Sequence, residues 1–325
     1  MEMDNYMIIG QKFADTLYYL VKSFDEVMGK KFMDTNLGPF LSRHSNLGKW
    51  FVVSDYCIED KTKPHDVASF VLVPIEDNKD IKELKYDILQ LASKDLKNIK
   101  EQELKDQFCK FYHSGDFFSF NFIISPDNYI YTQLEEFLPI DELLSFFVGE
   151  VDKWKKNDPS KNYYNKYIKR LNILKNKMTQ KSFNYKLLKR IFLICFIASY
   201  IKYLFVKEHK NIKLYSWVRD RDSIESWNRG ILEVIYSLVS YYIFSLFEIE
   251  KLKNELFVHN FGKDLDAFIR IPDYICGTLA DYNFEIDDVS SNKQCKFLKE
   301  AIANNNYIAI FSFEKNTIKK ARISL

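Results

Sequence analysis

Two apolar runs near the start of the chain constrain its fold most strongly. Trp50–Asp55 and Val67–Ile75 are rich in valine and aromatic residues, and a short polar loop that contains Pro64 joins them. Runs of this length and composition, separated by turn-forming residues, predict two antiparallel strands in a hairpin. A hairpin at this position argues against an all-α bundle.

The segments after the hairpin alternate between strand and helix patterns. We expect further strands at Asp116–Asn128, Asn211–Ser223, Asn254–Phe261 and Tyr307–Glu314. We expect helices over residues 4–33 (ended by Asn36–Pro39), 80–111, 134–155 (interrupted near Pro139), the residues between Pro159 and Lys177, 182–209, 223–247, 271–284 and 290–304. This alternation predicts a mixed α/β fold, in which a mixed sheet is flanked by helices.

Two longer apolar runs require a test for membrane insertion. Ile191–Val206 and Ile231–Phe247 are at or below the lower length limit for a span, and each carries one charge, Lys202 and Glu233. Both runs therefore predict buried core helices, and we expect no membrane partner. With 47% hydrophobic residues, the chain can bury a large core.

Cysteine usage and the first residues bear on the compartment. The five cysteines are scattered and show no paired spacing typical of zinc sites: Cys57, Cys109, Cys195, Cys276 and Cys295. Free thiols in a reducing compartment are the expectation. The opening MEMDNYMIIGQKFAD lacks the basic and apolar regions of a secretory signal. We therefore expect a cytoplasmic protein.

Several carboxylates stand where apolar segments begin or end. Asp55 ends the first strand, and Asp220 and Asp222 end the strand LYSWVRDRD. Asp273 stands at the predicted start of an apolar helix, with Asp281 two turns further along. Strand ends share one edge of a sheet, so these carboxylates can converge there with one from a packed helix.

Converging carboxylates predict a metal site. Three clustered carboxylates repel one another unless a cation neutralises them, and Mg²⁺ and Mn²⁺ prefer oxygen ligands. Two such ions can activate water and stabilise a phosphoryl leaving group. The pattern therefore predicts metal-dependent hydrolysis of phosphodiester bonds.

Three pieces of the chain resemble the RNase H-like nuclease superfamily: WFVVSDYCIEDKTKPHDVASFVLVP, LYSWVRDRDS and RIPDYICGTLADYN. They are similar to uncharacterised bacterial members that have a strand Asp and a late apolar helix headed by Asp. Pro272 stands where those members have Ala, and Ser54-Asp55-Tyr56-Cys57 stands where they have Asp-Glu-Ser-Gly. The resemblance implies an RNase H-like core in two parts, residues 1–133 (with the N-terminal helix) and 210–325, interrupted by a helical, basic insertion at 134–209.

The resemblance also implies an activity and a set of ligands. The chain would be a DNA or RNA nuclease dependent on Mg²⁺ or Mn²⁺, serving bacterial antiviral defence or a mobile element. Asp55, Asp222 (or Asp220) and Asp273 would hold the metals. The implied fourth acid is Asp281 or Glu225, with Glu135 and Glu136 as further candidates.

The segment Lys153–Arg190 carries thirteen Lys/Arg residues against one acid, Asp158, although the net charge of the chain is only +2. Cations interleaved with aromatic residues favour binding to phosphates and to unpaired bases. We take the following residues as the candidate nucleic-acid contacts: Lys155, Lys156, Lys166, Tyr167, Lys169, Arg170, Lys189 and Arg190.

Other interpretations of these residues stay open. The aspartates can cap turns and helices, and the lysines can form a solvated helix face. The chain would then be a non-enzymatic assembly subunit that binds nucleic acid, a protein or a second copy of itself. The Asp-x-Asp of Asp220–Asp222 also occurs in glycosyltransferases, where it holds a metal–nucleotide-sugar complex, but no Gly-rich nucleotide loop accompanies it.

Overall fold

The computed structural model describes residues 2–92, 94–125, 140–220, 223–250, 252, 254–259, 265–284, 286–315 and 317–323. The chain divides into two compact units. A helical unit comprises residues 1–23, 130–207 and 221–251, and a sheet unit comprises residues 24–129, 208–220 and 252–325. The helical unit thus includes residues outside the predicted insertion at 134–209.

The sheet unit contains a seven-stranded mixed sheet with the order β5-β4-β1-β2-β3-β6-β7. The strands are β1 (Lys49–Cys57), β2 (Asp66–Ile75), β3 (Phe118–Ile124), β4 (Leu214–Arg219), β5 (Glu255–His259), β6 (Ile308–Phe313) and β7 (Ile318–Ala321). Strand β2 is antiparallel to both β1 and β3, β4 and β5 run parallel to β1, and β6 runs parallel to β3. The predicted hairpin and the mixed α/β class are confirmed.

The helices are α1 (Glu2–Val27), α2 (Gly38–Arg43), α3 (Asn78–Leu91), α4 (Asp106–Phe111), α5 (Ile140–Asn157), α6 (Tyr163–Met178), α7 (Tyr185–Glu208), α8 (Ser223–Ser226), α9 (Ile231–Leu246), α10 (Asp266–Asp281) and α11 (Asn292–Phe297). Helical turns at Lys30–Phe32 and Met33–Leu37 connect α1 with α2. These bounds, with those of the strands, place every side chain discussed below.

Both faces of the sheet are covered by other parts of the chain. The sequences of its central strands are therefore nearly continuous apolar runs. On one face, Val53 and Val218 belong to a core cluster that includes Phe268 and Ile275 of α10. On the other face, the ring of Trp50 lies 6.0 Å from that of Phe40 in α2. Each face of the sheet therefore packs against an apolar cluster, although the strands also bury polar side chains such as Ser69, Asn121 and Arg219.

Apart from α10, three predicted helix boundaries were wrong, and one strand was not predicted. The Asn36–Pro39 segment does not end the helical region, because Gly38 has helical backbone angles and Pro39 lies in the first turn of α2, where its missing N–H costs nothing. The predicted helix over 80–111 consists of α3 and α4 with two short 3₁₀ turns between them. The predicted 223–247 helix breaks at Asn228 and Gly230, which both have positive φ. The tail after Phe313 forms β7 against β6.

The helical unit buries the two charges that interrupt its apolar runs. Lys202 of α7 is 5% exposed, and its ammonium lies 4.8 Å from the ring centre of Phe244. Glu233 of α9 accepts hydrogen bonds from Tyr167 and Arg170 of α6. Each charge thus has a partner that offsets its burial. Among the described residues, no helix is long and apolar enough to cross a membrane.

Candidate functional site

Asp55 and Asp220 occupy matching positions on two neighbouring parallel strands. The prediction that Asp55 ends the first strand was wrong, because β1 continues to Cys57 through its pairing with β2, in which Asp55 lies opposite Ser69. In the register of β1 and β4, Ser54 pairs with Arg219. Asp55 is the next residue along β1, and Asp220 directly follows the last residue of β4. Adjacent strands lie about 4.8 Å apart, so the two residues are neighbours at one edge of the sheet.

The side chain of Asp55 belongs to the face of the sheet that α10 covers. Val53 and Cys57, two residues before and after it, both pack against the core cluster on that face. Since alternate residues of a strand share a face, Asp55 points the same way. Its charge contributes to raising the pKa of the Cys276 thiol, after the larger effect of burial, which places Asp55 near α10.

Asp273 lies in the third turn of α10, not at its start. The helix begins at Asp266, and Pro272 is inside it. The expectation that Asp273 heads this helix is therefore wrong, and the helix dipole does not account for this carboxylate. Its Oδ2 instead accepts the backbone N–H of Leu96 at 2.8 Å, from a turn that lies on α10.

The carboxyl of Asp273 titrates abnormally. Burial, followed by the nearby charges of Asp95 and Asp220, raises its pKa from 3.8 to about 6, although the Leu96 N–H and Lys97 oppose the shift. The pKa thus shows that Asp220 and Asp273 lie within electrostatic range of each other. A buried carboxyl beside other acids is the environment in which a divalent cation is most strongly favoured.

This titration predicts a pH dependence of stability. The folded chain binds the Asp273 proton more tightly than the unfolded chain, so the free energy of unfolding falls as pH rises from about 4 to about 6. An Asp273→Asn variant loses this dependence and is more stable than the wild type at pH 7, by at most about 3 kcal/mol. Thermal melting of both proteins at pH 4 and pH 7, in EDTA, measures the effect. If the wild type and the Asp273→Asn variant differ in melting temperature by the same amount at pH 4 and at pH 7, the prediction is contradicted.

Asp281 does not join these carboxylates. It lies two turns beyond Asp273, about 12 Å along the helix axis. Its Oδ1 accepts hydrogen bonds from Lys63 at 2.6 Å and from the Ser290 hydroxyl at 2.8 Å. Its Oδ2 accepts the Ser290 N–H at 2.6 Å. Although burial opposes it, these contacts lower the pKa of Asp281, and they account for this carboxylate without a metal.

The structure does not describe the side chains of four other predicted acids. Asp222, Glu135 and Glu136 lie outside the described residues, and the side chain of Glu225 is not described. Of the Asp-x-Asp sequence, only Asp220 is described. Within the described ranges, no three His, Cys, Asp or Glu side chains lie close enough together to hold a metal ion. Asp55, Asp220 and Asp273 thus share a region of the sheet unit without forming a closed ligand group.

Three residues that were predicted to contact nucleic acid instead are buried or make polar contacts within the helical unit. The Tyr167 hydroxyl donates to Glu233 at 2.9 Å, and Arg170 forms an ion pair with the same carboxylate at 2.8 Å. Arg190 is only 4% exposed. Tyr167 and Arg170 thus link α6 to α9, and Arg190 of α7 is buried, so these side chains are poorly placed to contact a phosphate backbone.

The predicted lysine contacts remain at the surface to different degrees. Lys166 and Lys169 are exposed on α6, three residues apart and therefore on one helix face. Lys156 is exposed and pairs with Asp152 of its own helix at 2.7 Å. Lys155 and Lys189 are half-buried. Lys166 and Lys169 are the predicted contacts that are best placed to meet a ligand.

Comparison with known proteins identified no relative of this chain. No family model, no curated protein sequence and no solved structure matched the chain.

One part of the site was missed by sequence reasoning. The turn that includes Asp95 and Leu96 contacts Asp273 through its backbone and its charge. Tyr274 anchors the same turn by donating to the Lys94 carbonyl at 2.9 Å. In the sequence this turn lies inside a charged stretch with helical spacing, and nothing local indicates that it packs on α10.

Proposed function

We propose that the chain is a metal-dependent nuclease with an RNase H-like core. One observation carries the proposal: Asp55, near the end of β1, and Asp220, directly after β4, are neighbours on the face covered by the helix that holds Asp273. The strand order β3-β2-β1-β4-β5, with β1 to β3 antiparallel and β4 and β5 parallel to β1, supports the same assignment. In such a core, the β6 and β7 strands are an extension beyond β3.

The donor chemistry fits Mg²⁺ or Mn²⁺. All three side chains offer carboxylate oxygens, the ligands that hard cations prefer. Burial first, and then the charges of Asp95 and Asp220, raise the pKa of Asp273, and a bound cation would offset the contribution of those charges. We propose that Asp55 and Asp220 form the first contacts and that Asp273 moves into the group when the ion binds. The bound ion would supply a lowered pKa for an attacking water and charge stabilisation for the leaving oxygen.

The protein residues have separate roles in this proposal. Asp55, within β1, and Asp220, directly after β4, would fix the position of the group. Asp273 sits on a buried helix whose partner turn, through the Leu96 N–H, orients its carboxylate. A strand fixes a side chain more strictly than a loop does, which favours a site with defined geometry.

The direct test is a cleavage assay on end-labelled single-stranded and duplex DNA, RNA and an RNA–DNA hybrid. We expect cleavage with Mg²⁺ or Mn²⁺ and none in EDTA. Cleavage that persists unchanged in EDTA, or the absence of cleavage of every substrate with either metal, would refute the proposal. The preferred substrate decides between DNA and RNA.

Lys166 and Lys169 would contribute to binding of the substrate backbone. A Lys166→Glu/Lys169→Glu variant should bind single-stranded nucleic acid at least about tenfold more weakly and lower the salt slope of binding by about 1 to 2. Fluorescence anisotropy over a salt series measures both quantities.

The matched control is Lys12→Glu/Lys82→Glu, which makes the same charge change at two other exposed lysines. If both double variants weaken binding equally, the effect belongs to net charge alone, and the role of this α6 face is refuted.

A further inference from the structure

The backbone turn at residues 94–99 is held against α10 beside Asp273. The Tyr274 hydroxyl donates to the Lys94 carbonyl at 2.9 Å. The Leu96 N–H donates to Asp273 Oδ2 at 2.8 Å. Asp273 and Tyr274 are consecutive residues of α10, so both hydrogen bonds fix the turn at the same level of that helix. The turn therefore occupies one of the two oxygens of the Asp273 carboxylate.

The side chain of Leu96 also fixes the turn, because it packs against the backbone of α10. A Cβ atom placed on Gly277 would lie 2.8 Å from Leu96 Cδ2, so a glycine at this position permits the close approach. Leu96 is 4% exposed and belongs to the core cluster that contains Ile275. The leucine side chain thus anchors the same residue whose N–H reaches Asp273.

A lysine of α11 holds the turn from a second helix. The half-buried Lys293 donates from its ammonium to the carbonyls of Leu96 at 2.7 Å and of Ile99 at 3.0 Å. It also donates, over a longer distance of 3.4 Å, to the Lys97 carbonyl. The three donors of one ammonium thus meet three carbonyls of a single turn. A lysine on an open surface is instead solvated by water, and its hydrogen bonds fix no other residue.

The hydrogen bonds that the turn makes within itself are local. They run from the N–H groups of Asn98 and Ile99 to the Asp95 carbonyl, at 3.0 and 3.2 Å. Lys97 and Asn98 are exposed, and the turn lies outside the seven-stranded sheet. Its position therefore depends on its contacts with α10 and α11, among which the hydrogen bonds from the charged ammonium are the stronger kind.

We propose that Lys293 is a positioning residue of the candidate metal site, an inference that rests on the proposed function. Lys293 keeps the turn in place, the turn keeps the Leu96 N–H on Asp273 Oδ2, and Oδ1 is the oxygen left to face a cation. Asp273 then reaches the ion through Oδ1 while Oδ2 stays on the turn. Groups that orient a metal ligand typically change metal affinity by about ten- to a hundredfold.

The first test needs no metal. Amide hydrogen exchange of the full chain in EDTA, followed by NMR, reports on the Leu96 N–H itself. In Lys293→Met this amide should exchange at least about tenfold faster than in the wild type, because the turn opens more often. Lys296→Met is the matched control, because Lys296 also lies on α11 but donates to the Leu104 carbonyl at 3.0 Å and to Asp106. The control should leave Leu96 exchange within about twofold of the wild type.

The second test is the affinity for Mn²⁺, measured from the electron paramagnetic resonance signal of the free ion. Lys293→Met should weaken Mn²⁺ binding at least about tenfold, whereas Lys296→Met should leave it unchanged. Lys293→Arg should restore most of the affinity, because a guanidinium also donates several hydrogen bonds. A loss that came from packing alone would not be restored in this way. Lys293→Gln serves if Lys293→Met does not fold.

The two measurements separate this inference from the proposed function. A wild type that binds no Mn²⁺ refutes the proposed metal site and this inference with it. If the wild type binds Mn²⁺, three results would overturn the role of Lys293 alone. They are an unchanged Leu96 exchange rate in Lys293→Met, an unchanged Mn²⁺ affinity in that variant, and equal losses of affinity in Lys296→Met.

Discussion

An Asp55→Asn variant should lose metal-dependent cleavage by about a hundredfold to a thousandfold. The change keeps the shape of the side chain but removes the charge that neutralises the cation. Losing several kcal/mol of charge stabilisation in the transition state corresponds to a loss of this size. Initial rates under single-turnover conditions at saturating Mn²⁺ measure it. Asp55 is half-buried near the end of β1, and asparagine has nearly the same size, so the variant should remain folded.

Asp60→Asn is the matched control for this prediction. Asp60 is exposed in the loop between β1 and β2, and its carboxylate accepts from the Thr62 hydroxyl and N–H. The control should cleave at close to the wild-type rate. A folded Asp55→Asn protein with wild-type activity would remove Asp55 from the site and leave the nuclease proposal without its central residue.

A Phe108→Ala variant should destabilise the sheet unit by about 3 to 5 kcal/mol. Phe108 is fully buried in α4, and its ring lies 4.7 Å from that of Tyr274, next to Asp273 on α10. Removing the ring leaves a cavity between these two helices that the rigid surroundings cannot fill. The position of Asp273 depends on this packing, so cleavage should also fall in the folded variant.

Denaturant unfolding can report on the sheet unit alone. In a background of Trp154→Phe and Trp227→Phe, fluorescence comes only from Trp50 and Trp217, which lie in the sheet unit. Tyr86→Ala is the control, because its side chain is 62% exposed on α3 and its loss should change stability by less than about 0.5 kcal/mol. If Phe108→Ala costs no more than this control, α4 does not hold α10 in place.

Much of the sheet could be predicted from the sequence because its strands are buried on both faces. Continuous apolar runs such as Val67–Ile75 leave few alternatives, and their lengths fit strands rather than helices. The helix α10 was predicted, but its start was placed at Pro272. Proline favours the first turn of a helix, yet here burial of the preceding apolar residues, Phe268 and Ile269, outweighs the loss of one backbone hydrogen bond.

Side-chain partners were the less predictable part of the candidate site. Nothing local in the sequence distinguishes Asp281, which Lys63 and Ser290 hold by hydrogen bonds, from Asp273, which is half-buried near the charges of Asp95 and Asp220. Arg170 likewise has the composition of a nucleic-acid contact, but it pairs with Glu233, 63 residues away in the chain. Such contacts depend on how helices pack, and periodicity describes only the face that a helix buries.

The proposed nuclease function depends most on whether Asp55, Asp220 and Asp273 bind a divalent cation. Anomalous diffraction from crystals grown in Mn²⁺ tests this directly. We predict a manganese peak about 2.0–2.3 Å from carboxylate oxygens of Asp55 and Asp220, with the Asp273 carboxylate moved into contact with the same ion or its neighbour. Crystals saturated with Mn²⁺ that show no peak beside Asp55 and Asp220, or peaks only elsewhere, would contradict the proposed site.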